Sequence, residues 1–142
     1  MSIQKPKMIL FDYGHTLLYE IGHNAEKGNK AIYQYIKSNP KNISFQEFNK
    51  IVNSTFKKIN ECGNGIDICE KNFLRLVYGY MNIELSVSLE EAESIIWNGV
   101  SEGDIMPNAD KILDYLNKND IRSGVISNMC WSGKSLKDRL NR

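Results

Sequence analysis

The stretch ILFDYGHTLL, Ile9 to Leu18, decides the fold. An apolar run from Met8 to Phe11 stops on the carboxylate of Asp12, and Gly14 and Thr16 follow at two-residue steps. A short apolar run with Pro6 before it and a polar turn after it is the pattern of a buried strand in a parallel sheet. One other segment has the same character. In RSGVIS, 122–127, Gly124, Val125 and Ile126 lead into Ser127. Parallel strands need a long crossover, and the roughly one hundred residues between these two read as helices.

Ala31, Ile32, Tyr35 and Ile36 form a first helical stripe, ended by Pro40. SFQE at 44–47 is a capping box, and Phe45, Phe48, Val52, Phe56 and Ile59 follow it at helical spacing. CGNG at 62–65 breaks that helix. Phe73, Leu76, Val77 and Tyr80 predict a third helix. SLEE at 88–91 is a second capping box and opens a fourth through Ile95 and Ile96. Beyond Pro107, the stripe Ala109, Ile112, Leu113 and Leu116 leads into the second strand. SGKSLKDRL reads as a final helix, with Leu136 and Leu140 four apart. The order β, helical block, α, β, α predicts an α/β core (1–19 and 104–142) with an inserted helical domain (20–103). Two strands are few for an open α/β sheet, so further strands are expected beyond Arg142.

Composition narrows the function classes. Eighteen basic and seventeen acidic residues leave a net charge of +1, which gives no footprint for nucleic acid or an anionic membrane. The basic cluster Lys134, Lys137, Arg139 and Arg142 reads as a solvated helix face. No apolar stretch is long enough to span a bilayer. The run after Lys5 and Lys7 is too short for a signal peptide. A cytoplasmic protein is therefore expected, and Cys62, Cys69 and Cys130, an odd set with no CxxC pair, are expected as free thiols. NST at Asn53 is then a chance glycosylation match. The oligomeric state is not legible.

In open α/β sheets ligands sit at the C-terminal ends of strands. Asp12 and Ser127 lie at such ends, so neighbouring strands would bring both to one crevice with Thr16 and the following loop amides. Hydroxyls and N–H groups suit the oxygens of a small anion such as phosphate. The carboxylate either attacks the central atom or holds a metal. Taken alone, Gly14 permits a tight or positive-φ turn, Asn128 reads equally as a turn residue or a ligand contact, Trp131 and Tyr13 are packing residues, and His15 and His23 are loop residues. The segment Tyr19–Asn24 reads as a hinge with Gly22 as its soft point.

MILFDYGHTLL resembles the first motif of the haloacid dehalogenase superfamily, an apolar strand running into Asp-x-Asp-x-Thr. GVISN resembles the second, an apolar strand ending in Ser or Thr. MPNADKILDYLNKNDIRSGVISN is similar to the family's lead-in to that motif, and the gap from Asp12 to Ser127 is similar to members with a helical cap after the first motif. The resemblance implies a Rossmann-type core and a hydrolase, a Mg²⁺-dependent phosphatase of a small phosphorylated metabolite. It implies Asp12 as nucleophile and Mg²⁺ ligand, the Gly14 carbonyl as a second metal contact, and Thr16 as a steadying residue of the loop. Ser127 would bind the phosphoryl oxygens, with the Asn128 amide nearby.

Two departures qualify these expectations. Phosphatase members carry an acid–base Asp where this chain has Gly14, and such proton transfer contributes about 10²–10⁴-fold. His15 is its neighbour and a weak candidate to replace it. The family's third and fourth motifs, a lysine and further metal-binding acids, have no counterpart before Arg142. The sequence thus reads as the first part of a family member, with Mg²⁺ held weakly. The alternative is an impaired member that binds without turnover. A receiver-type phospho-acceptor domain is disfavoured by the long helical insert.

Overall fold

Both apolar runs form strands and pair with each other. β1 (Met8–Phe11) and β6 (Arg122–Val125) are parallel neighbours, in register from Met8 opposite Arg122 to Phe11 opposite Val125. The computed structural model describes residues 4–63 and 68–141. Between those strands lie β2 (Leu18–Ile21), α1 (Ala25–Tyr33), β3 (Ile36–Ser38), α2 (Phe45–Cys62), α3 (Glu70–Met81), β4 (Glu84–Leu85), α4 (Leu89–Val100), β5 (Glu102–Ile105) and α5 (Ala109–Lys118). α6 (Gly133–Leu140) closes the series. The architecture is mixed α/β, with one small parallel sheet and two antiparallel strand pairs among the described residues.

The chain divides into two compact units. The first takes the residues up to Ile21 together with Glu102–Asn128. The second takes Gly22–Ser101 and the residues from Met129 onward. The helical part thus runs from 22 to 101, where the sequence suggested 20 to 103. The last helix, assigned to the α/β part by its sequence position, groups with the helices instead.

In the first unit, β1 and β6 are less buried than their composition suggests. Leu10 is 52% exposed, and Met8 and Ile126 are also exposed. Gly124 contributes no side chain, and Met8 and Leu10 close over it; a Cβ there would stand 2.9 Å from Met8 Cε and 3.0 Å from Leu10 Cδ2. Among the described residues this sheet has two strands, a small apolar platform on which to bury side chains. α5 buries Ala109 and Leu116, with Ile121 after it, but leaves Ile112 exposed. β2 and β5 pair antiparallel, from Leu18 opposite Ile105 to Ile21 opposite Glu102. Neither LYEI nor EGDI is an apolar run, so neither strand was legible in the sequence. Tyr19 to Ile21, read as part of a hinge, belong to β2, and Gly22 takes a left-handed φ of 63° just after it.

The second unit holds the main apolar cluster, including Ile32, Phe48, Phe73, Leu74, Val77, Met81, Ala92 and Ile96. α1 and α4 approach through glycines. A Cβ on Gly28 would lie 2.4 Å from Val100 Cγ2, and one on Gly99 would lie 2.8 Å from Gly28 Cα. Asn24 N–H donates to the Val100 carbonyl at 2.7 Å, tying the start of α1 to the end of α4. Ser88 and Glu91 form the complete reciprocal capping box at α4. At α2, Ser44 Oγ accepts from the Glu47 amide. Gly63 ends α2; Asn64 and Gly65 of the CGNG break lie outside the described residues, as does Arg142.

Three apolar stripes are placed differently from the sequence reading. Tyr35 and Ile36 fall outside α1, because the helix ends at Tyr33 and Ile36 pairs with Leu85 in a short antiparallel ladder. α3 buries Phe73, Leu74, Val77, Tyr78 and Met81, leaving Leu76 and Tyr80 in solvent. α6 buries Ser135 and Arg139, whereas Leu140 is exposed. Arg139 is therefore no part of a solvated face. Its guanidinium donates to the Ser101 carbonyl at 2.9 Å and to Asn98 Oδ1 at 3.1 Å, and it lies 4.6 Å from the Trp97 ring centre.

Candidate functional site

The register of β1 and β6 sets the site. Phe11 and Val125 are partners, and the ladder continues one step as Ile126 N–H donates to the Phe11 carbonyl at 2.9 Å. Asp12 directly follows β1, and Ser127 follows Ile126, the residue in step with Asp12, so both stand just past the C-terminal ends of adjacent parallel strands, the position where open α/β sheets present ligands. Strand spacing is about 4.8 Å, so the two strand ends lie close together, with Ser127 one residue out of step with Asp12. Asp12 is exposed, Ser127 half-buried and Asn128 exposed.

The loop after Asp12 is held by its own backbone. Asp12 Oδ1 accepts from the Tyr13 amide at 2.7 Å. The Tyr13 carbonyl collects the amides of Leu17 (3.1 Å), Leu18 (3.2 Å) and Thr16 (3.4 Å), and His15 N–H donates to the Leu18 carbonyl at 2.7 Å. Tyr13 and Leu17 are buried and anchor the turn. The Leu17 carbonyl in turn accepts from Met106 at 2.9 Å. What the turn uses of Thr16 is its amide, and the residue is otherwise exposed. The left-handed residue is His15, φ 56°, and not Gly14. A Cβ on Gly14 would meet nothing within 4 Å. Neither conformation nor space therefore requires glycine at this position.

A hard divalent cation suits the oxygen donors available, the Asp12 carboxylate and the Gly14 carbonyl. No group of three or more His, Cys, Asp or Glu residues converges among the described residues. Mg²⁺ is commonly held by one or two carboxylates plus substrate phosphate oxygens, and the carboxylate present at this strand end is Asp12. An open hollow of about 340 Å³ lined by Asp120, Ile121, Arg122 and Ser123 lies at the opposite end of β6 from Ser127 and belongs to a different surface.

A second polar constellation, in the helical unit, escaped the sequence reading. Glu93 is fully buried on α4; its Oε2 accepts from Ser135 Oγ at 3.2 Å, while Oε1 has no hydrogen-bond partner among the described residues. Glu70, at the start of α3, is buried as well, and burial together with the Glu93 charge pushes its carboxyl up to about 7. Burial and the Glu70 charge push the Tyr78 phenol up in turn. The available signal was an acid in helical phase with Ile96 and Trp97.

No protein-family model matches this chain, and no curated protein matches it. Among the described residues no helix is long and apolar enough to cross a membrane.

Proposed function

We propose that the chain is a haloacid dehalogenase-like protein whose α/β part binds a small phosphate ester and accepts its phosphoryl group on Asp12. The observation that carries this reading is that Asp12 and Ser127 both lie just past the C-terminal ends of adjacent parallel strands. Ser127 Oγ and the Asn128 amide bind phosphoryl oxygens. An Asp12 oxygen attacks phosphorus, the ester P–O bond breaks, and an aspartyl phosphate forms that water later cleaves. Asp12, the Gly14 carbonyl and the bound phosphate would hold Mg²⁺, which would supply charge neutralisation. Gly14 has no proton to give the departing oxygen. Esters whose leaving group is stable as an anion, such as acyl or aryl phosphates, are therefore favoured over alkyl phosphates.

The test is turnover of an aryl phosphate by the purified full chain with Mg²⁺. The wild type should exceed an Asp12→Asn variant, and equal rates would overturn the proposal. Gly14 favours a second reading, a member that binds phosphate without turning it over. In that case both proteins are inactive, yet wild type binds inorganic phosphate and Ser127→Ala does not.

A further inference from the structure

We propose that Cys69 and Cys130 form a reversible disulfide site in the helical unit, oxidised by small disulfides of the glutathione type. The placement comes from one backbone bond. Glu70 N–H donates to the Cys130 carbonyl at 2.9 Å, which lays the Cys69–Glu70 peptide against Cys130. Standard peptide and hydrogen-bond dimensions then put the two Cα atoms roughly 5–6 Å apart. Disulfides bridge Cα separations of about 4.4–6.8 Å. Both residues are thiols, with Cys69 exposed and Cys130 half-buried.

Both ends of the pair are held in place. Cys69 is the N-cap residue of α3, and its side chain makes no capping hydrogen bond, so the helix end does not commit it. Cys130 precedes Trp131, whose ring stacks on Trp97 of α4 with centres 5.1 Å apart and planes 4° from parallel. The third thiol, Cys62, ends α2 and lies across the segment 64–67 from Cys69.

The chemistry balances as thiol–disulfide exchange. The Cys69 thiolate attacks one sulfur of oxidised glutathione, forming a mixed disulfide and releasing one glutathione thiolate. The Cys130 thiolate then attacks the Cys69 sulfur, forming the protein disulfide and releasing the second glutathione. Two protein thiols are oxidised and one oxidised glutathione is reduced to two thiols. The bond ties the start of α3 to the segment entering α6 and restricts the unfolded chain. In a reducing compartment such a bond serves as a redox signal and not as a permanent staple.

The experiment incubates the reduced full chain with oxidised glutathione, then alkylates it under denaturing conditions and maps the peptides. Of three thiols, two should be protected and one, Cys62, alkylated. A Cys69–Cys130 cross-linked peptide should appear and vanish with dithiothreitol. The oxidised chain should unfold at a higher temperature than the reduced one. Cys62→Ser should leave the cross-link intact, whereas Cys69→Ser and Cys130→Ser should each abolish it while keeping the wild-type circular dichroism. Alkylation of all three thiols, a persistent glutathione adduct, or a bond through Cys62 would each overturn the proposal.

Discussion

At Gly14 the side chain is absent where space for one exists. Its φ is not left-handed, and a Cβ would meet nothing within 4 Å. Gly14→Asp should fold normally, with a change in stability within about 0.5 kcal/mol. Under the phosphoryl-transfer reading it should raise turnover of alkyl phosphates by about 10²-fold or more. A denaturant midpoint and a steady-state rate check the two halves separately; a well-folded but inactive variant would argue against a simple missing-acid account. Glu70 makes a second prediction at this scale. Its carboxyl ordinarily titrates near 4.5 and is pushed up to about 7 by burial and Glu93. Between those values the folded state holds a proton that the unfolded state has lost, so stability falls as pH rises through this window and is level above it. Glu70→Gln removes the ionisation. It should stabilise the protein at pH 7.5 by roughly 3 kcal/mol and leave it nearly unchanged at pH 4. Urea titrations at the two pH values give the comparison.

Among the helices, glycines act in opposite ways. Gly28 faces Val100 and Ile96 at less than contact distance for a Cβ, so Gly28→Ala must push α1 from α4. The strain should cost about 1–3 kcal/mol. Gly79 in α3 has nothing within 4 Å of its Cβ direction, and Gly79→Ala should gain about 0.5–1 kcal/mol from helix propensity alone. Urea midpoints of the two variants should move in opposite directions. Elements whose cause is local were readable in the sequence: Ser44 and Ser88 start helices through their own side chains, and Gly63 ends one. Elements whose cause is a distant partner were not. β2 exists because β5 lies beside it, and Ile36 leaves the helical pattern because Leu85 pairs with it. The face of α6 misled for a related reason. Leu136 and Leu140 promise a buried stripe, but Trp97, Asn98 and Ser101 offer a place for Arg139.

Across the molecule burial is uneven. Every residue of the main apolar cluster lies between Ile32 and Val100, whereas the α/β unit buries Tyr13, Leu17, Ala109, Leu116 and Ile121 and exposes Met8, Leu10, Ile112 and Ile126. Amides of α3 and α4 should exchange at least about tenfold more slowly than those of β1 and β6, because local opening follows buried contacts. Hydrogen exchange at Val77 and Ile96 against Ile126, whose amide donates to the Phe11 carbonyl, measures this; equal protection would mean that the units open together. At this scale the pairing of the two apolar runs was legible, since each run is short and apolar and the structure contains them as neighbouring parallel strands. The affiliation of the last helix was not, because nothing in its own sequence shows which unit it joins.

The bond between Asn24 and Val100 also bears on the order of events during folding. β2 and β5 are separated by the whole of 22–101, and closing so long a loop costs entropy before any ladder bond forms. Once the helices assemble through their more local contacts, that bond and the Gly28–Gly99 crossing bring the two departing chain ends together. The strands then meet across a gap of a few residues. The helical unit is in this sense a clasp that shortens the loop the strands at its ends must close.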